Sequence, residues 1–280
     1  QRWFAYLHFV DPHSPYDAPG SFRNHFTGTG DRRLADDDAL EALANSVNTG
    51  SERIPFDDGD IEYLRARYDG ETLYWDSQFR ELLGELEARG VLEDTVVIIT
   101  SDHGEEFLEH GKLMHGYHLY DETIRVPLVI RAPGRVRSQR VSRQVEVRGV
   151  IGAALELMGF PATDPPLPNV LATARGEEEP VVFSYTNEAD TPEYASSILA
   201  SAGDSRWKYI LRPADGVAEI YDLLGDPGEY VNLIGDRPEL HAQYDEILTD
   251  WLGRAQLSTE PTSNLDERSR ERLRALGYIR

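Results

Sequence analysis

The run Ser101-Asp102-His103-Gly104-Glu105-Glu106 sets a carboxylate beside an imidazole directly after a β-branched stretch. Aspartate offers hard oxygens and histidine a ring nitrogen, so Asp102 and His103 can supply two ligands to one divalent cation. The alternative is a loop turn in which Asp102 caps a helix. Histidine density is the second signal. His103, His110, His115 and His118 fall within sixteen residues, interleaved with Gly104, Gly111 and Gly116. Imidazoles gathered in a loop suit metal binding, proton transfer or hydrogen bonding to an anionic oxygen. A third signal is Asp11-Pro12-His13-Ser14-Pro15-Tyr16, where prolines on both sides restrict the backbone and aim His13. No GxxxxGK[ST] loop, GxSxG elbow or HExxH helix occurs.

Such residues need elements to hold them. Thr95-Val96-Val97-Ile98-Ile99-Thr100 predicts a strand covered on both faces of a parallel sheet. Open parallel sheets bind ligands at the carboxyl ends of their strands, where Asp102 and His103 stand. Residues 3–10 (WFAYLHFV) predict another buried strand, leading into the His13 loop. Residues 17–58 are polar, with Arg32-Arg33 and Asp36-Asp37-Asp38, and read as a surface insertion with one short helix. Residues 59–90 predict a long helix. Leu64, Tyr68, Leu73, Trp75, Phe79, Leu82, Leu83 and Leu86 supply its apolar spacing, with a break expected around Gly70 and a stop at Gly90. Val126 to Ile130 predicts a strand with Pro127 at its start, and residues 144–158 a helix.

Composition changes near residue 161. Residues 161–180, with Pro161, Pro165, Pro166, Pro168 and Glu177-Glu178-Glu179, read as a linker. Four short strands are predicted at 181–185, 197–200, 207–211 and 219–223, with a turn at Asp215-Gly216. They form an antiparallel meander. A helix over 237–254 follows, presenting Leu240, Tyr244, Ile247, Leu248 and Leu252 on one face.

The 280 residues, 40% hydrophobic, suffice for a real core. Lys plus Arg is 28 against 50 Asp plus Glu, a net charge of −22, and Lys112 and Lys208 are the only lysines. Such a chain repels nucleic acid and anionic membranes at long range. Acid excess with little lysine suits a surface solvated in high salt, or reflects arginine coding in a GC-rich genome. Cysteine is absent, which removes disulfides, thiolate metal sites and a cysteine nucleophile from these residues. No run of 18 apolar residues exists, so no membrane-spanning helix is expected.

The motifs together resemble the sulfatase family of the alkaline phosphatase superfamily. A strand followed by SDHGEE, then EHG, then HGYHLYDETIRVPLVIRAPG (115–134) resembles the second half of its catalytic domain. FAYLHFVDPHSPYDAPG is similar to the family's strand and Pro-His-x-Pro-aromatic loop, and Tyr68-Asp69-Gly70-Glu71 to the helix before SDHG. RWKYIL, AEIYDLLGDPGEYVNLIGDRPEL and the closing LRALGYI fit its tail.

The resemblance implies an α/β fold: part of an α/β/α sandwich over 1–175, then a smaller α+β domain with an antiparallel sheet and a helix over 176–280. It implies metal-dependent hydrolysis of a sulfate monoester, with a small-molecule or saccharide sulfate as partner. Asp102 and His103 match metal ligands, calcium first, with manganese or zinc as alternatives for a histidine ligand. His13 matches a sulfate-contacting histidine. His115 falls near a residue that binds sulfate or assists the leaving group, a role that an offset would give to Lys112 or His118. The family's formylglycine nucleophile arises within C/S-x-P-S-R, which does not occur here. The family's first half, with two acidic metal ligands and that motif, has no counterpart in these residues. The chain is therefore expected to be a C-terminal fragment that partners the missing half, and to be inactive and poorly soluble alone. A phosphodiester or phosphonate hydrolase, a phosphoglycerol transferase, or a non-catalytic split module are the competing expectations.

Overall fold

The structure, a computed structural model, describes residues 3–28, 30, 34, 36–50, 56–163, 167–177, 180–186 and 199–254. Arg32-Arg33, Pro165-Pro166, Glu178-Glu179, Ser197-Ile198 and residues 273–279 lie outside them. The described residues of 1–85 form one compact unit and those of 86–257 another.

In the first unit, helix α1 (Asp37–Thr49) is capped by Asp36, whose side chain accepts from the Ala39 amide at 3.2 Å. It buries Leu40, Leu43 and Ala44. Helix α2 (Asp58–Ala88) runs unbroken through Gly70. The break expected there is absent because the glycine serves packing. A Cβ at Gly70 would stand 2.7 Å from the Phe22 carbonyl oxygen, so only glycine lets that loop approach the helix. Arg67 is buried and donates to the carbonyls of Tyr16 and Arg23 at 2.9 Å each and to Asp17 Oδ1 at 2.8 Å. These bonds fasten the chain after the His13 loop to α2.

Residues 3–10 correct the expectation of a buried strand. They carry no strand, and Trp3, Phe4, Tyr6 and Leu7 are each more than half exposed. An apolar run becomes sheet only where a neighbouring strand takes up its N–H and C=O groups, and residues 3–10 have no such ladder among the described residues.

Glu71, beside Arg67 on α2, is 2% exposed. Burial first, then the charge of Asp11 and a hydrogen bond with it, raise its pKa from 4.5 to about 7. The fold thus binds a proton that the unfolded chain releases near 4.5. Stability is then full below 4.5 and is lost as pH rises to about 7, by up to about 3 kcal/mol. Denaturant midpoints across pH 4–8 should show this slope in the parent protein and flatten it in Glu71→Gln.

In the second unit, strand β1 (Val97–Thr100) pairs with a later strand near Leu128, and the pairing is antiparallel. The parallel sheet expected around residues 95–100 is therefore corrected for the described residues. A continuous apolar run reports burial on both faces and leaves direction open. The short strands β2 (Glu106–Phe107) and β3 (Leu113–Met114) form a hairpin, followed by the single-turn helix α3 (Asp121–Ile124). Strand β4 (Leu128–Arg131), the partner of β1, begins directly after Pro127, which has no amide hydrogen for the ladder. Thr100 faces Leu128 and Val97 faces Arg131.

Helix α4 (Gly149–Leu157) is shorter than expected, and helix α5 (Val170–Arg175) lies inside the expected linker. Asn169 caps α5, and Val170 and Leu171 pack with Ala153 and Leu157 of α4. Six residues are too few for a helical period to show among prolines. Strands β5 (Val182–Thr186), β6 (Leu199–Gly203), β7 (Trp207–Arg212) and β8 (Val217–Asp222) form the expected antiparallel meander in sequence order. Helix α6 (Pro238–Arg254) buries Tyr244 and Leu248 against it, alongside Tyr209 and Ile220.

Candidate active site

The loop after β1 is shaped by glycine. A Cβ at Gly104 would lie 2.1 Å from the Glu122 carbonyl oxygen, and the Gly104 amide donates to the Thr123 carbonyl at 2.7 Å. Helix α3 thus clamps the backbone just beyond Asp102 and His103. No helix starts at Asp102, so capping does not account for it. Its side chain is 53% exposed, and its Oδ1 accepts from the His103 amide at 3.1 Å.

His103 Nδ1 lies 2.9 Å from the Gly104 carbonyl oxygen. A carbonyl can only accept, so Nδ1 carries the hydrogen and Nε2 the lone pair. That Nε2 stands 3.9 Å from Asp102 Oδ1. Two ligands of one cation lie less than about 5 Å apart, twice a bond of ~2.3–2.6 Å. The donors present therefore fit two positions of a metal site. Among the described residues, no group of three or more His, Asp and Glu side chains is arranged to hold an ion.

His110, His115 and His118 are each aimed by an acid. His115 stacks on His103 with ring centroids 3.8 Å apart, and its Nδ1 meets Glu105 Oε1 at 2.8 Å. His118 Nδ1 meets Glu106 Oε2 at 3.0 Å. Glu106, 1% exposed, also accepts from the amides of His110 at 3.1 Å and Lys112 at 2.8 Å. Burial raises its pKa, but these donors, His118 foremost, hold it below the ordinary value. His110 places Nδ1 at 2.5 Å from Glu122 Oε1 and Nε2 at 3.2 Å from the Glu229 carbonyl oxygen. Both nitrogens face acceptors, which suits the charged ring. Burial opposes that charge, yet Glu122 prevails and raises the pKa. Burial, reinforced by the charge of His115, lowers that of His103.

Asp102, His103, His115 and His118 line one cavity of about 1180 Å³. Lys112 is not in its lining, and its Nζ lies 5.8 Å from the ring centroid of Tyr117. His13 belongs to the other unit, where its Nδ1 meets the Ser14 carbonyl oxygen at 2.7 Å.

Glu105 and Glu106 stand in SDHGEE and Glu122 in HGYHLYDETIRVPLVIRAPG, and the sequence alone assigns none of them a role. Adjacent acids followed ten to twelve residues later by histidines were the available signal. Glu105→Gln keeps the shape and removes the charge that holds His115. Turnover by the intact protein should fall about 10–100-fold with circular dichroism unchanged, as for other groups that orient a site's primary residues.

A buried ion cluster ties this loop to the meander. Lys208 Nζ on β7 lies 2.5 Å from Asp121 Oδ1 and 2.8 Å from Glu229 Oε1. Glu229 Oε2 accepts from the Asp121 amide at 2.6 Å. Asp121 opens α3, and α3 clamps Gly104.

The sulfatase family model matches residues 1–160. The chain is 28% identical over 204 residues to arylsulfatase K of Xenopus laevis, covering 69% of this chain and 38% of that protein. It is 25% identical over 243 residues to the choline-sulfatase of Rhizobium meliloti (strain 1021), covering 82% and 46%. The chain thus spans less than half the length of these curated relatives. The crystal structure of the phosphonate monoester hydrolase of Agrobacterium radiobacter superposes with a TM-score of 0.66 at 24% identity, covering 96% of this chain and 60% of that one. That likeness shows a shared fold, a mixed α/β architecture. With more than half its length matched by the family model, the chain belongs to the sulfatase family.

Proposed function

We propose that this chain carries part of the metal and sulfate site of a sulfate ester hydrolase. The observation behind this reading is the Asp102–His103 pair at the end of β1, with a carboxylate oxygen and a lone-pair nitrogen 3.9 Å apart and His115 stacked alongside. A hard carboxylate favours calcium, and the imidazole suits manganese or zinc equally well. When bound, such a cation would neutralise the sulfate oxygens as charge develops. Asp102 and His103 would hold it. His115 would hydrogen-bond the sulfate oxygens and, steadied by Glu105, would give a proton to the leaving oxygen. Lys112 and His118 are the alternatives for that contact.

Two ligands fall short of the six to eight oxygens calcium takes. The match covers 38% and 46% of these relatives, so the remaining ligands and the nucleophile would come from residues outside these 280. On this reading the 280 residues alone turn nothing over.

A second reading is a phosphonate or phosphodiester hydrolase, favoured by the superposition above. Turnover of an aryl sulfate and of a phosphonate monoester by the intact protein separates the two. The sulfate ester should be preferred about 100-fold or more, an estimate from the differential transition-state binding that sets specificity. Preference for the phosphonate would favour the second reading.

A further inference from the structure

One feature of the cavity goes beyond a sulfate pocket. Residues 135–148 (RVRSQRVSRQVEVR) contain five arginines and one acid, a formal charge of 5 − 1 = +4 within a chain of −22. Two of the five are engaged. Arg135 donates to the Leu157 carbonyl, and Arg148 pairs with Glu146. Arg137, Arg140 and Arg143, three residues apart, form no ion pair among the described residues. All three are exposed, and all three line the cavity that holds Asp102, His103 and His115. Of the cavity's three carboxylates, Asp102, Asp121 and Glu146, the last pairs with Arg148 and Asp121 shares Lys208 with Glu229. This wall is therefore locally basic in an acidic molecule.

We propose that Arg137, Arg140 and Arg143 bind further anionic groups of a multiply sulfated or carboxylated saccharide whose scissile sulfate sits at Asp102 and His103. The inference rests on the hydrolase reading and names its substrate class. A substrate with a single sulfate needs one anion site, and a choline-type substrate carries a cation that three arginines would repel. Guanidinium forks match sulfate and carboxylate oxygens in pairs, and arginine does this better than lysine. Net charge repels such a polyanion only over distances that salt screens, beyond about 8 Å at physiological ionic strength, whereas the strip acts at contact.

The test uses the intact protein and the triple variant R137Q/R140Q/R143Q. The probes are a polysulfated oligosaccharide and 4-nitrophenyl sulfate. KM for the oligosaccharide should rise about 10–100-fold, from three charge-assisted contacts discounted for exposure, with kcat nearly unchanged. kcat/KM for the aryl sulfate should stay within about twofold, since no partial-charge contact to it is removed. The parent protein should also be retained on an immobilised sulfated polysaccharide at moderate salt, despite its acidity, and the variant should not. An unchanged oligosaccharide KM would overturn the proposal, as would equal losses on both esters or a preference for choline sulfate. Loss of self-association in the variant with retention intact would assign the strip to an acidic protein surface instead, which also overturns it. Absence of turnover on every ester would count against the hydrolase reading, and retention would still decide the strip.

Discussion

Asp102→Asn and His103→Ala are each expected to lower sulfate ester turnover by the intact protein on the order of 10³-fold. The figure exceeds the ~10–100-fold typical of groups that only orient a site, because these two residues offer the donor atoms themselves. Asn keeps the size of Asp102 and one oxygen but loses the charge that a hard cation seeks. Ala removes the His103 lone pair altogether and also the ring on which His115 stacks. The two variants should differ in metal dose. Asp102→Asn should recover part of its rate as metal is raised, and His103→Ala should recover less. Stability should move little in Asp102→Asn, whose side chain is half exposed. Turnover within threefold of the parent in either variant would remove the pair from the site.

The second large effect is on stability. Lys208→Met should cost about 3–5 kcal/mol, the range for stripping one partner from a buried ion pair. The Lys208 side chain is 5% exposed and that of Glu229 is fully buried. Burial already raises the pKa of Glu229, with Lys208 as the main opposing influence. Without Lys208, Glu229 and Asp121 would face each other uncompensated, and Glu229 would hold a proton more tightly. The loss should therefore shrink as pH falls, because the fold then gains a proton the unfolded chain lacks. Lys208→Met with Glu229→Gln should recover part of it by removing one buried charge. Urea midpoints of the three proteins at two pH values read this directly. A loss under about 1 kcal/mol would mean the cluster behaves as an exposed pair.

The meander and α6 were legible because their signals are local. Strands β5, β7 and β8 are short runs rich in β-branched and aromatic residues, Asp215-Gly216 marks a turn, and α6 repeats its apolar residues at helical spacing. The Asp102–His103 loop was legible for a similar reason, since strand and motif are contiguous. The strand expected at 3–10 failed because strand formation depends on a partner that an apolar run cannot name. The direction of β1 failed likewise. The cluster of Lys208, Asp121 and Glu229 joins residues up to 108 positions apart, and no spacing rule finds such a set. The rarity of lysine, two in 280 residues, was the one available pointer to it. Helix α5 was hidden by brevity among prolines. The roles of Glu105, Glu106 and Glu122 needed the histidine rings in place, because an acid that aims an imidazole looks the same in sequence as one that faces water.

The most direct test is sulfate release from an aryl sulfate by the intact protein, measured before chelation, after chelation, and after adding back calcium, manganese or zinc separately. Activity should vanish on chelation and return with one of these cations, calcium first, in the parent but not in His103→Ala. Sulfate release indifferent to chelation, or none under any condition, would contradict the assignment of Asp102 and His103 to a metal-dependent sulfate ester hydrolase.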